Sequence, residues 1–174
     1  TLLRYRKSII KWRETLPYPQ NHMRNVARKA CRQDYVFLTD IDIIPSDESA
    51  KHLTGFFSRS PIPCQKCIFI IPTYELEIGA SFPANKSHLI QLVDRHQAQP
   101  FHQTIFIHNQ YATNFTLWER DVREGQEHDD SIRVSHEVNN MEFYYEPFYV
   151  ALDTVPEHDE RFLGYGFTRN TQVY

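Results

Sequence analysis

The feature that most constrains this chain is a short apolar run, Tyr35-Val36-Phe37-Leu38-Thr39, that stops on two carboxylates, Asp40 and Asp42. Aromatic and β-branched residues in so short a run, bounded by polar ones, predict a buried strand. The strand must end at Asp40-Ile41-Asp42, because unpaired acids do not continue into a core. In open α/β sheets, ligands bind beyond the carboxyl ends of strands. Two carboxylates placed there repel each other unless a cation lies between them. Hard oxygen donors suit Mg²⁺ or Mn²⁺, which commonly bridge to substrate phosphates. A pair of solvated turn aspartates is the other reading, since a D-x-D by itself is a weak signal.

The segments around this strand alternate in period. Pro17 to Asn21 form a proline-punctuated turn with Asn21 as the expected N-cap. Met23, Val26, Ala27 and Ala30 then recur at i, i+3, i+4 and i+7, which predicts a helix with an apolar stripe. Pro45 and Ser46 are expected to open a second helix, with Asp47 and Glu48 in its first turn. Cys67-Ile68-Phe69-Ile70-Ile71 is the next expected strand, stopped by Pro72 and placed beside the first. A helix is expected from Ser87 to about His96, with Leu89, Ile90 and Val93 on one face. Phe101 to Ile107 and Phe143 to Ala151 are expected strands, and the charge-dense stretch from Glu119 to Glu137 reads as a solvated loop. Helices alternating with buried strands indicate an α/β sandwich. With no repeat and no linker, one domain over residues 1–174 is the simplest division.

Composition narrows the classes of function. The 174 residues are 41% apolar and 14% aromatic with five glycines, which excludes disordered and fibrous classes. A net charge of -3, from 19 basic and 22 acidic residues, gives no reason to expect nucleic acid or acidic lipid as a partner. No run of about 18 apolar residues is available to span a membrane. The start, Thr1-Leu2-Leu3-Arg4, is not a signal peptide, so the chain reads as a piece whose anchor or address lies elsewhere. Cys31, Cys64 and Cys67 do not supply the four ligands of structural zinc; a local disulfide or inert thiols fit better. Asn85-Lys86-Ser87 and Asn114-Phe115-Thr116 are N-glycosylation sequons, in keeping with a secretory compartment.

Six blocks in fixed order carry a resemblance to a known family. They are Tyr18-Pro19-Gln20-Asn21-His22-Met23-Arg24-Asn25-Val26-Ala27, Phe37 through Pro45 with its D-x-D, and Ile71-Pro72-Thr73-Tyr74-Glu75. The others are Ala112-Thr113-Asn114-Phe115 with Trp118, Glu146-Pro147-Phe148-Tyr149-Val150, and Asp159-Glu160-Arg161-Phe162-Leu163-Gly164-Tyr165-Gly166-Phe167. Together they resemble the family that holds β-1,4-glucuronyltransferase and the second catalytic domain of the LARGE-type xylosyl/glucuronyltransferases. One departure is that Thr113 directly follows Ala112, where the family has A-P-T. The resemblance implies a GT-A-type nucleotide-diphospho-sugar transferase fold. That fold has a central, mostly parallel sheet flanked by helices, here incomplete at both ends. An initial strand would precede Thr1, and a metal-binding histidine would follow Tyr174.

It also implies UDP-glucuronic acid as donor, Mn²⁺ or Mg²⁺ as metal, and a glycan acceptor on a glycoprotein. The implied address is the Golgi lumen, with membrane attachment only through an anchor outside this chain. Asp40 and Asp42 would hold the metal. Asn21, Arg24, Asn25 and Asp40 would contact the nucleotide sugar, an arginine being suited to fork onto phosphate or uracil oxygens. Inversion at the anomeric carbon needs a general base. The candidates are Glu146, then Asp159, then Glu160, with Glu75 behind them. Glu146 leads because a carboxylate amid aromatics is costly without a purpose or a partner. Arg161 suits a sugar carboxylate or a neighbouring acid, and Gly164 with Gly166 suits a tight backbone. Tyr74, Trp118, Tyr145 and Phe148 suit either sugar stacking or core. The rival reading is a catalytically silent member that binds a glycan or a protein partner.

Overall fold

The computed structural model describes residues 5–59, 66–126, 132–141 and 143–164. The chain divides into two compact units, Thr1–Gln33 with Val155–Tyr174, and Asp34–Thr154.

The larger unit holds a three-stranded sheet and a two-stranded ladder. The sheet orders β1 (Tyr35–Phe37), β5 (Tyr149–Leu152) and β2 (Ile68–Ile70) with β5 in the middle. Both pairings are antiparallel: Val36 and Ile68 flank Ala151, while Phe37 and Phe69 flank Val150. The α/β class expected from the alternation is present, but the pairing corrects two expectations. The hydrogen bonding is antiparallel rather than mostly parallel, and β1 and β2 are not neighbours. They do run in the same direction, since each opposes β5. Periodicity reports which residues are buried but not strand direction. Direction comes from β5, which enters the sheet at the end where β1 and β2 finish and so must run back between them.

One sheet face is closed by helix α3 (Ser49–Arg59) through stacked aromatics. Phe57 stacks on Tyr35 with ring centroids 3.7 Å apart, and both Phe56 and Phe57 meet Phe69 edge-on. Alternation explains the pairing, because Tyr35, Phe37, Val150 and Phe69 share that face. Val150 and Ala151 are buried in the central strand. Burying a side chain of the Val type stabilises by roughly 1.5–3 kcal/mol. Helix α3 begins at Ser49, later than expected: Asp47 and Glu48 occupy the turn before it, and Glu48 has φ 51°.

The ladder pairs β3 (Tyr74–Leu76) with β4 (Ala98–Pro100). Strand β3 escapes the sequence reading because it lies directly behind Pro72. The strand expected at Phe101 to Ile107 is instead a series of turns leading to a 3-10 turn at Ile107–Asn109, and the pairing residues lie just before it. Likewise only Tyr149–Leu152 of the stretch expected from Phe143 is strand. Helix α4 (Lys86–Asp94) is capped by Asn85, whose Oδ1 accepts from His88 N at 2.8 Å. Helix α5 (Phe115–Arg123) is capped by Asn114, whose Oδ1 accepts from Leu117 N at 3.1 Å. Part of the stretch read as a loop from Glu119 is therefore helix. Its charges are paired: Glu119 and Asp94 both bind Arg123, and Asp121 binds Lys86 and Arg133.

The smaller unit contains α1 (Arg6–Arg13) and α2 (Gln20–Ala30). Helix α2 corrects the expected facing. Met23, Val26, Ala27 and Ala30, the apolar stripe, are exposed, whereas Asn21, Asn25 and Arg28, at i, i+4 and i+7, are buried. Pro19 occupies the N-cap position, so Asn21 lies inside the first turn rather than capping it. Polar groups are buried here because the segment after Val155 offers them backbone partners.

Candidate functional site

In the larger unit the D-x-D lies just beyond β1, separated from it by Leu38 and Thr39. Asp40 is half-buried, Asp42 is exposed, and a turn closed by Ile43 N on Asp40 O (3.1 Å) points Ile41 fully into solvent. The strand directions fix what else gathers at this end of the sheet. Ile71 N, just past β2, donates to Phe148 O at 2.8 Å, so the approach to β5 lies where β1 and β2 finish. Glu146 stands on that approach. Its N–H donates to Asn109 O at 2.9 Å, and its carbonyl accepts from Gln110 Nε2 at 3.0 Å. The backbone N–H and C=O of Glu146 are thus both satisfied, by the 3-10 turn and the residue that follows it.

The 3-10 turn is itself tied to the ladder. Phe101 N donates to Thr73 O at 2.9 Å, and the Phe101 ring meets Phe148 edge-on. His102 follows with φ 60°, a left-handed conformation uncommon outside glycine. It is held there by its N–H on Glu75 Oε1 (3.0 Å) and by Asn109 Nδ2 against His102 Nδ1 (2.8 Å). Glu75 Oε2 accepts from Gln99 Nε2, so both oxygens of Glu75 serve the ladder and its turn. Asn109 is buried, and its Oδ1 has no hydrogen-bond partner among the described residues. The sequence reading missed His102 and Asn109; positive φ is a property of the folded backbone, and His-Gln-Thr carries no turn signal that would reveal it.

The aromatics named from the sequence divide. Tyr145 and Phe148 are core, Tyr145 hydroxyl-bonded to Thr113 at 2.9 Å. Tyr74 and Trp118 are in ring contact beside Phe115. Burial raises the Tyr74 phenol well above its ordinary value, and its hydrogen bond to Glu119 adds to the shift.

In the smaller unit, Asn21, Arg24, Asn25, Asp159 and Glu160 come together. Asn21 Nδ2 donates to Asp159 O at 2.9 Å, and Arg24 Nη1 donates to Asn21 Oδ1 at 3.2 Å. Asn25 donates to His158 O (2.8 Å) and Glu160 Oε1 (2.9 Å) and accepts from His158 N (2.9 Å), which uses both its amide hydrogens and one acceptor site. Arg28 donates to Val155 O and Pro156 O. Gly164 has φ 84° and donates to Tyr18 O at 2.8 Å; Gly166 lies outside the described residues. Arg161 pairs with Asp159, and that hydrogen bonding lowers the Asp159 carboxyl to about 2. Glu160 is also lowered, by Asn25 first and then His22. A carboxylate lowered in this way is a weaker proton acceptor.

Asp40 and Asp42 are the residues able to hold a hard cation. One or two carboxylates, completed by substrate phosphate, is the usual complement for Mg²⁺ or Mn²⁺, so the pair fits such an ion. Among the described residues no cluster of three or more His, Cys, Asp or Glu forms a metal-binding group. Cys67 is disulfide-bonded, Cys31 is free and exposed, and Cys64 lies outside the described residues. No described helix is long and apolar enough to cross a membrane.

Residues 2–174 match the model of a family described as glycosyl-transferase for dystroglycan. Similar proteins include zebrafish beta-1,4-glucuronyltransferase 1, 33% identical over 157 residues that make up 90% of this chain and 35% of the relative. The human beta-1,4-glucuronyltransferase 1 is 31% identical, again over 90% of this chain and 35% of its own length. Chicken xylosyl- and glucuronyltransferase LARGE1 is 30% identical over 94% of this chain and 20% of its own. The chain thus spans about a third or less of these relatives. With a family match running almost end to end, the chain belongs to the family described as glycosyl-transferase for dystroglycan.

Proposed function

We propose that this chain is part of an inverting glycosyltransferase of GT-A type. It moves glucuronic acid from UDP-glucuronic acid to a glycan hydroxyl, that of a terminal xylose on a glycoprotein, in the Golgi lumen. The observation that carries the reading is the family match together with a D-x-D just beyond the carboxyl end of β1. Relatives named as glucuronyltransferases support the choice of donor.

In this reading Asp40 and Asp42 would hold the divalent cation that accompanies the donor. Mn²⁺ or Mg²⁺ bound there supplies Lewis-acid neutralisation of the leaving diphosphate. The acceptor oxygen bonds to C1 of the sugar as the C1–O bond to UDP breaks, and the hydroxyl proton passes to a carboxylate. Glu146 suits that task best, because its backbone is pinned at the same end of the sheet. Asp159 and Glu160 are held by Arg161 and by Asn25 with His22. Asn21 and Asn25 shape the Asp159–Glu160 segment.

The test is donor screening of the full-length luminal protein with UDP release as readout. Release with UDP-glucuronic acid that depends on Mn²⁺ and on a xylose-terminated acceptor is expected. Equal release with every UDP-sugar, or none with any, overturns the reading.

A further inference from the structure

The two sequons carry an inference beyond the transfer reaction, although it rests on the secretory placement proposed above. Each sequon asparagine is a helix N-cap, Asn85 for α4 and Asn114 for α5. In both, Oδ1 is engaged with a helix N–H, while Nδ2 has no partner among the described residues. The burial pattern is also the same at both sites. Asn85 and Ser87 are exposed around half-buried Lys86, and Asn114 and Thr116 are exposed around half-buried Phe115.

The inward turn of each middle residue has a clear cause. Lys86 binds Asp121 at 2.7 Å and lies 4.1 Å from the centroid of the Trp118 ring. Phe115 sits edge-on to Tyr74, which in turn meets Trp118. One cluster of Tyr74, Phe115, Trp118 and Lys86 therefore draws both middle residues inward and leaves the asparagine and hydroxyl residues on either side facing water.

We infer that Asn85 and Asn114 are N-glycan attachment sites whose Nδ2 atoms carry oligosaccharide while their Oδ1 atoms keep the helix caps. In the transfer, Nδ2 bonds to C1 of the reducing-end N-acetylhexosamine of a lipid-diphosphate oligosaccharide. The C1–O bond to phosphate breaks, the lipid diphosphate leaves, and Nδ2 gives up one proton. Because the new bond is made at Nδ2, the acceptor oxygen of the cap is untouched, so a folded chain carries the glycan without losing either helix start. The attachment also costs no buried contact, since both amide groups already face solvent.

The test expresses the full-length protein in animal cells behind a strong heterologous signal peptide, with an added control sequon at its end. Digestion with an amidase that cleaves the glycan–asparagine bond should give two mobility steps from this region beyond the control. Asn85→Asp and Asn114→Asp should each remove one step. In unglycosylated protein made in bacteria, the same Asp variants should keep their Tm, because the cap oxygen survives. Asn85→Gln or Asn114→Gln should lower Tm by about 2–4 °C through loss of the cap. A filled control with Asn85 and Asn114 unmodified overturns the inference, and so does an Asp variant as unstable as its Gln counterpart. The same protein on its own leader separates the two readings. Glycans added only behind the heterologous peptide refute the secretory placement and leave the two sites standing.

Discussion

Asn25 and His158 are joined by a two-way hydrogen bond: the Asn25 amide accepts from His158 N at 2.9 Å and donates to His158 O at 2.8 Å. A side chain has taken the place of a strand partner, fixing the backbone that leads into Asp159 and Glu160. Asn25→Ala leaves a buried N–H and C=O without partners, each costing about 1–3 kcal/mol. We expect a loss of roughly 2–5 kcal/mol in denaturant unfolding. Asn25→Asp should be no better, because it keeps the acceptor but loses both donors and sets a carboxylate against Glu160. Wild-type stability in either variant would show that the clamp contributes nothing.

His158 also makes the stability depend on pH. Its ring is buried, and burial first, then the charges of Arg24 and Arg28, lower it to about 4 from an ordinary 6.5. Between those values the unfolded chain binds a proton that the folded one refuses, so stability rises with pH from about 4 to 6.5 and is level above. Asp159 and Asp121, both lowered to about 2, act only below this window. Chemical denaturation at pH 5 and pH 7 should show the folded state weaker at pH 5. His158→Gln should flatten that difference, and an unchanged slope would assign it to another group.

Asp42 is exposed and Asp40 half-buried, so their replacement by amides should affect chemistry more than folding. Asp42→Asn in the full-length enzyme should abolish transfer and weaken Mn²⁺ binding, measured by calorimetry with UDP present. Its metal-free Tm should stay level, or rise slightly as carboxylate repulsion is relieved. Normal turnover in this variant would make the motif a structural turn.

Glu146→Gln keeps the shape of the side chain but cannot take a proton. If Glu146 is the base, kcat should fall about 10² to 10⁴-fold with donor affinity little changed. Asp159→Asn should instead cost its solvent-screened ion pair with Arg161, with little change in stability and kcat nearly intact. The reverse pattern, a pure kcat defect in Asp159→Asn and only instability in Glu146→Gln, exchanges the two roles.

Local chemistry was legible in the sequence. Apolar runs at Tyr35 and Ile68 form strands because β-branched and aromatic side chains fit a pleated, covered surface, although the first stops at Phe37, short of the expected end at Asp40. The helix after Pro19 and the helix before His96 follow from period alone. What periodicity could not settle was direction and facing. Strand β5 enters between β1 and β2 from their carboxyl ends, so the pairing is antiparallel, a consequence of chain path rather than of residue type. Helix α2 exposes Met23 and Val26 and buries Asn21, Asn25 and Arg28, against what hydrophobicity suggests. A buried polar face is stable only when partners satisfy it, and those partners are backbone groups more than 120 residues away in the sequence, Val155 through Asp159. Only the tertiary structure brings them together.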